Sequence, residues 1–152
     1  MALTSVLKAL GSLSLFLVDS APVSENLSPA IIGPEHIQIK AQPGQSLILH
    51  CEAVTNSEHD VTLLYWLING SFPEDIPSNE RITELETATF LDGAIEQRSL
   101  LLKNVIFEDL GATFTCVVMN SFGMAYKNVT LTAKTGDCYE WGKKINLKTF
   151  FC

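Results

Sequence analysis

The residues of this chain that could do chemistry are four cysteines, three histidines and seventeen carboxylates, and few of them are spaced for it. His36, His50 and His59 fall in separate segments, and none stands at metal-ligand spacing from a cysteine or a carboxylate. Serine, histidine and aspartate are all present, but there is no nucleophile elbow and no glycine-rich phosphate loop. Glu108-Asp109 has the form of a paired carboxylate, yet its place between Phe107 and Leu110-Gly111 reads as corner-turn chemistry. No catalytic residue, metal ligand or cofactor is therefore expected, and the chain is not expected to be an enzyme. What remains is cysteine oxidation and surface recognition. Cys51 and Cys116, with Trp66 fifteen residues after the first, are the positions that the surrounding elements must bring together.

Those elements read as strands, from apolar and polar residues alternating with period two. His36-Ile37-Gln38-Ile39-Lys40 alternates as an edge strand does, Gln42 to Gln45 is a turn, and Ser46 to Cys51 is a strand with Leu47, Leu49 and Cys51 on one face. After a loop at Asn56 to Asp60, a strand runs from about Thr62 to Ile68. Trp66 must face the core, so Leu64 and Ile68 do too, and Leu63, Tyr65 and Leu67 face outward. Asn69-Gly70 predicts a type I′ hairpin, since both residues tolerate positive φ. A further strand is expected after it, marked as an edge by Pro73. Residues 78–96 are polar and weakly patterned, with room for one short strand. Arg98 to Lys103 is a strand with Leu100 and Leu102 inward, and Val105 closes the core. Thr113 to Met119 places Phe114, Cys116 and Val118 inward; after the turn Asn120 to Gly123, the last strand ends near Ala133, with Val129 and Leu131 inward and Asn128 outward. The sum is an all-β antiparallel sandwich of seven to eight strands over residues 35–133.

Residues 1–20 read as a secretory signal: Leu10 to Val18 is apolar but short for a membrane span, and Val18 and Ser20 suit cleavage before Ala21. Residues 21–34 are polar and proline-punctuated, as a flexible leader would be. No second apolar run approaches about 20 residues, so no membrane anchor is expected and the chain reads as secreted. Sequons at Asn26, Asn69 and Asn128 fit that compartment as glycosylation sites. A net charge of −7 gives no electrostatic reason to bind nucleic acid, and would steer a basic protein partner toward the chain. Residues 134–152 read as a tail outside the sandwich. Two outcomes are open for its Cys138 and Cys152: a bond to each other, or a bond between chains of what is otherwise expected to be a monomer.

One surface is apolar where a solvated sheet face is normally polar: Leu63, Tyr65, Leu67, Val117 and Met119 share it by strand parity. An apolar strip around an aromatic suits a protein interface. Phe72, just past the hairpin, adds an exposed aromatic, with Glu74 and Asp75 as a charged rim. A glycan on Asn128 would confine a partner to the side carrying Tyr65, Phe72 and Glu74.

Cys51, Trp66 and the run Phe114-Thr115-Cys116, on strands so placed, match the skeleton of an immunoglobulin-like sandwich. That likeness implies an inter-sheet Cys51–Cys116 disulfide under the indole, stabilising by roughly 4 kcal/mol for a loop of this size. Phe114 stands where such domains usually carry tyrosine, so the corner hydroxyl bond is missing. The run Leu64-Tyr65-Trp66-Leu67-Ile68-Asn69-Gly70-Ser71-Phe72-Pro73-Glu74-Asp75-Ile76-Pro77, with Phe114 to Val118, resembles the interleukin-18 binding proteins, secreted single-domain decoys, and is similar to the third immunoglobulin domain of interleukin-1 receptors. The resemblance covers about residues 45–132. It implies a cytokine partner of the interleukin-1 family, interleukin-18 first, with Tyr65 and Phe72 as apolar anchors and Glu74 paired to a lysine or arginine. The alternative reading is a secreted or truncated interleukin-1-receptor-like or adhesion module with another protein ligand.

Overall fold

The computed structural model describes residues 25–77 and 80–134, and the backbone of two short strands beyond them. The signal at 1–20 and the state of Cys138 and Cys152 lie outside the described residues. The strands are β1 (Ala30–Ile31), β2 (His36–Ala41), β3 (Leu47–Val54), β4 (Leu63–Ile68), β5 (Ile82–Glu84), β6 (Ala88–Phe90), β7 (Ile95–Leu102), β8 (Thr113–Asn120) and β9 (Gly123–Ala133), with β10 (Cys138–Glu140) and β11 (Lys143–Ile145) pairing with one another. One sheet has the order β1-β3-β7-β5, with β6 also on β7; the facing sheet has the order β2-β9-β8-β4. The two sheets thus hold nine strands, where seven to eight are expected from the sequence.

The core forms where the period-two faces meet. Leu49, Cys51, Trp66, Leu100, Leu102, Val105, Phe114, Cys116, Val118, Val129 and Leu131 are all buried. Each strand residue among them sits at the inward parity predicted from the alternation, and Val105 closes the core after β7 as expected. Cys51 and Cys116 are bonded, with Cα atoms 6.4 Å apart. Trp66 is fully enclosed and donates from Nε1 to the Arg98 carbonyl at 3.0 Å, which satisfies its one polar atom. The chain turns from β4 at Asn69 (φ 50°) and Gly70 (φ 84°), the two positive angles a type I′ turn requires.

Three features depart from the sequence reading. The strand expected after the hairpin is absent: one bridge, Ile68 to Ser71, is followed by a 3₁₀ turn at Pro73–Asp75. Pro73 has no N–H to give a ladder, and its fixed φ suits the first position of a helical turn. Where the sequence suggests only a leader, residues 27–32 dock onto the sandwich. β1 pairs with the end of β3, the Asn56 and Asn120 amides donate to the Ser28 and Leu27 carbonyls at 2.8 Å, and Ser28 Oγ donates to the Phe122 carbonyl at 3.0 Å. Gly33 (φ 99°) then lets the chain cross to the other sheet, where β2 runs parallel to β9 and antiparallel pairing is not continued.

The corner before β8 is held from outside its own segment. The Phe107–Gly111 turn carries Asp109, which is buried. Its carboxylate accepts from Arg81 Nη1 at 2.8 Å and Nη2 at 3.1 Å, and from the Ile106 N–H at 2.8 Å. This confirms turn chemistry for Glu108-Asp109 and adds a partner, Arg81, that sits immediately before β5.

Candidate protein-binding face

The outward face of the β4-β8-β9 sheet is built in rows by the pairing register. Leu63, Met119 and Met124 form one row; Tyr65, Val117 and Tyr126 the next; Leu67, Thr115 and Asn128 the third. The first two rows are apolar or aromatic, and the third turns polar. Leu63, Met124 and Tyr126 on this face are each at least 47% exposed, and Phe72, just past the hairpin, is 43% exposed beside it, an unusual density of apolar surface.

The residues singled out from the sequence separate into groups. Tyr65 and Phe72 meet, with ring centroids 5.5 Å apart and planes tilted by 45°. Glu74 is exposed in the turn that follows Phe72. Leu63 is 52% exposed and Leu67 half-buried, both on the same face. Val117 has the predicted outward parity but is only 5% exposed. It stands in the central strand between Tyr65 and Tyr126, and two large neighbours leave it little surface to offer. Tyr126 and Met124 were within reach of the sequence: the parity that sends Val129 and Leu131 inward sends both of them outward.

Beside the Tyr65–Phe72 pair, a groove of 640 Å³ opens between the free edge of β4 and β5. Its walls include Tyr65, Phe72, Glu74, Ile76, Glu80 and Glu84. Glu84 is committed to the frame: it accepts from Arg98 Nη2 at 2.9 Å and from the Trp66 N–H, so the outward-pointing donor of the β4 edge is capped by a side chain. Glu74 and Glu80 are exposed on the groove wall. The aromatic pair is thus fixed at the lip of a groove whose uncommitted charge is negative.

The sequons lie at three places. Asn26 is exposed; Asn69 is exposed at the hairpin, its side-chain Oδ1 accepting from the Thr113 N–H at 3.0 Å; Asn128 is half-buried in the third row, its Oδ1 accepting from Thr115 Oγ1 at 2.8 Å.

Charge elsewhere is arranged around the loops. Asp60 accepts from Ser121 Oγ at 2.6 Å and Ser121 N at 2.7 Å, and these bonds hold its carboxyl below the usual aspartate range. Burial pushes Glu96 upward. Lys127 lies at inward parity on β9, 7% exposed, reaching the His50 carbonyl at 3.4 Å. Burial lowers its pKa, against a smaller raising effect from Glu52. His50 itself is exposed, 2.8 Å from Ser99 Oγ. Among the described residues no group of histidine, cysteine and carboxylate side chains is placed to hold a metal ion, and no helix is long and apolar enough to cross a membrane.

Comparison with known proteins agrees with the geometry. The family model for the immunoglobulin domain matches residues 37–129. The chain is similar to the interleukin-1 receptor accessory protein of Macaca mulatta, at 27% identity over 111 residues covering 70% of this chain and 19% of that protein, and to the same protein of Homo sapiens, at 25% over 111 residues. It spans about a fifth of the length of these relatives. Among solved structures it resembles the Dpr2 Ig1-Ig2 complex with DIP-Theta Ig1-Ig3 (TM-score 0.51, 23% identity, 70% of this chain and 32% of that one). It also resembles the eight N-terminal immunoglobulin domains of Down Syndrome Cell Adhesion Molecule (TM-score 0.53, 20% identity, 70% and 14%). The two structural likenesses speak for the fold alone.

Proposed function

The chain belongs to the immunoglobulin domain family, and from that premise we propose that it is a secreted, glycosylated recognition module that captures an interleukin-1-family cytokine, interleukin-18 by its motif, and keeps it from its receptor. The observation that carries this reading is the Tyr65–Phe72 pair, with ring centroids 5.5 Å apart, Tyr65 half-buried and Phe72 exposed, beside Glu74 on an acidic groove. Two rigid aromatics at a groove lip are the anchor geometry that concentrates binding energy, and a neighbouring carboxylate selects a basic counterpart. Similarity to interleukin-1 receptor accessory proteins supports a partner from the interleukin-1 system. Inhibition on this reading needs no chemistry, only occupancy of the surface that a receptor would use.

The likeness to an accessory protein also favours a second reading, in which the module engages a cytokine already bound to its receptor. One biosensor series separates the two. The secreted chain is presented to interleukin-18, to other interleukin-1-family cytokines, and to a preformed cytokine–receptor complex. Capture of free interleukin-18 is expected, with Phe72→Ala weakening it by about 2 kcal/mol, near 30-fold. Binding only to the complex would replace the decoy reading by the second one; binding to none would remove both.

A further inference from the structure

The opposite end of β4 carries a second exposed apolar feature that the proposed contact leaves unused. The turn between β6 and β7 displays Phe90 at 47% and Leu91 at 73% exposure. Leu91 (φ 50°) and Asp92 (φ 53°) both occupy the left-handed region, followed by Gly93 at 87°. A bulky leucine rarely adopts that conformation, and a glycine or asparagine would adopt it freely. The turn is nonetheless held firmly: Gly93 N donates to the Phe90 carbonyl at 3.2 Å and Ala94 N to the Leu91 carbonyl at 3.1 Å. Buried Thr55 clamps it to the end of β3, its N–H donating to the Ala94 carbonyl and its Oγ1 to the Gly93 carbonyl. The fold therefore spends strain to present a leucine to solvent, an arrangement typical of functional sites.

Leu91 borders an 810 Å³ groove that it shares with Thr62 and the carboxylates Glu58, Asp60, Asp92 and Glu96, and no lysine or arginine is among its walls. Val61, at the loop lip, is 75% exposed. The groove lies at the Leu63 end of β4, and the Phe72 groove lies at the Ile68 end. Five residue steps along β4 separate those ends, roughly 17 Å. A standard protein interface of about 800 Å² per partner is roughly 30 Å across, so one partner can cover both.

Resting on the cytokine-binding reading above, we propose that Leu91 is a second anchor for the same partner, entering an apolar pocket on a basic face of it, with the Glu58, Asp60 and Asp92 carboxylates as the matching charge. The partner's footprint then runs along the β4 side of the sandwich, from Phe72 to the β6–β7 turn. Charge complementarity selects this occupant: the whole edge carries uncommitted carboxylates, from Glu74 and Glu80 at one end to Glu58 and Asp92 at the other.

The test is biosensor binding of interleukin-18 to the full secreted chain and to Leu91→Gly, Glu58→Lys and Phe72→Ala, with a melting curve for each. Leu91→Gly removes the side chain and relieves the backbone at once. The expected result is unchanged or higher melting with about tenfold or greater loss of affinity, carried by faster dissociation. Glu58→Lys is expected to slow association several-fold at low salt and less at high salt. Strong binding that Phe72→Ala abolishes and the other two leave untouched would overturn the second anchor alone. Lower melting in Leu91→Gly would make Leu91 a packing residue and also overturn it. Absence of interleukin-18 binding by the parent chain would overturn the underlying reading and the anchor with it.

Discussion

Asp109→Ala tests whether the corner before β8 is a structural keystone. The carboxylate makes three hydrogen bonds, two of them bidentate to Arg81 and one to the Ile106 N–H. Removing one partner of a buried pair costs about 3–5 kcal/mol, because the other charge is left without compensation. The lower end applies here. The Arg81 side chain keeps 23% exposure and retains a 2.6 Å bond to the Asn104 carbonyl, so water and backbone recover part of the loss. A loss of about 3 kcal/mol in a domain near 100 residues lowers Tm by roughly 12–24 °C. Thermal and urea denaturation of Asp109→Ala, Arg81→Met and the double variant measure it. The double variant should be more stable than the sum of the single effects predicts, since no orphan charge remains. A loss below about 1 kcal/mol, or strict additivity, would refute the argument that this pair bears on stability through desolvation. The consequence reaches the groove, because Arg81 precedes Ile82, which is buried beneath its wall.

Lys127→Met should raise stability by about 1 kcal/mol near neutral pH, since an apolar chain of similar length needs no solvation at that inward site. The sign with pH follows from the lowered pKa of the lysine: the folded chain releases its proton before the unfolded one, so wild-type stability rises as pH climbs from the depressed value toward 10.5, and the variant lacks that rise in pH-resolved urea melts. Asp60 runs the other way. Its folded pKa lies below 3.8, so its clamp on Ser121 is intact above that value and is lost as pH falls through the lower folded one; the Ser121 amide signal in an NMR titration should report a midpoint below 3.8, and a midpoint at or above it would exclude the clamp.

The sandwich was legible wherever a residue's fate depends on its own strand. Alternation places Leu49, Leu64, Trp66, Phe114 and Val118 inward whatever the neighbouring strands do, and Asn69-Gly70 fixes a turn by backbone preference alone. What escaped depends on distant partners. Nothing in Ala30-Ile31 announces a strand until the unpaired end of β3 lies beside it. Arg81 and Asp109 are 28 residues apart and meet only when β5 reaches the corner. Val117 keeps the outward direction its parity gives but not the exposure, because aromatics on both neighbouring strands cover it. The Tyr65–Phe72 contact emerges only in the structure, where the 3₁₀ turn after Ser71 replaces the expected strand and leaves Phe72 beside Tyr65, and Leu91 was not legible either, since its polar surroundings gave no period.

The parallel pairing of β2 with β9 sets a timetable for synthesis. His36 finds Asn128, and Ala41 finds Ala133, only across more than ninety residues of chain. An emerging polypeptide thus holds β2 in waiting until β9 has left the ribosome, and Cys51 stays a free thiol through the 65 residues before its partner appears. Topologies closed by so distant a contact fold slowly and expose apolar surface meanwhile. Chaperone and oxidoreductase assistance while these contacts wait, more than the final stability of the sandwich, would then govern the yield of folded protein.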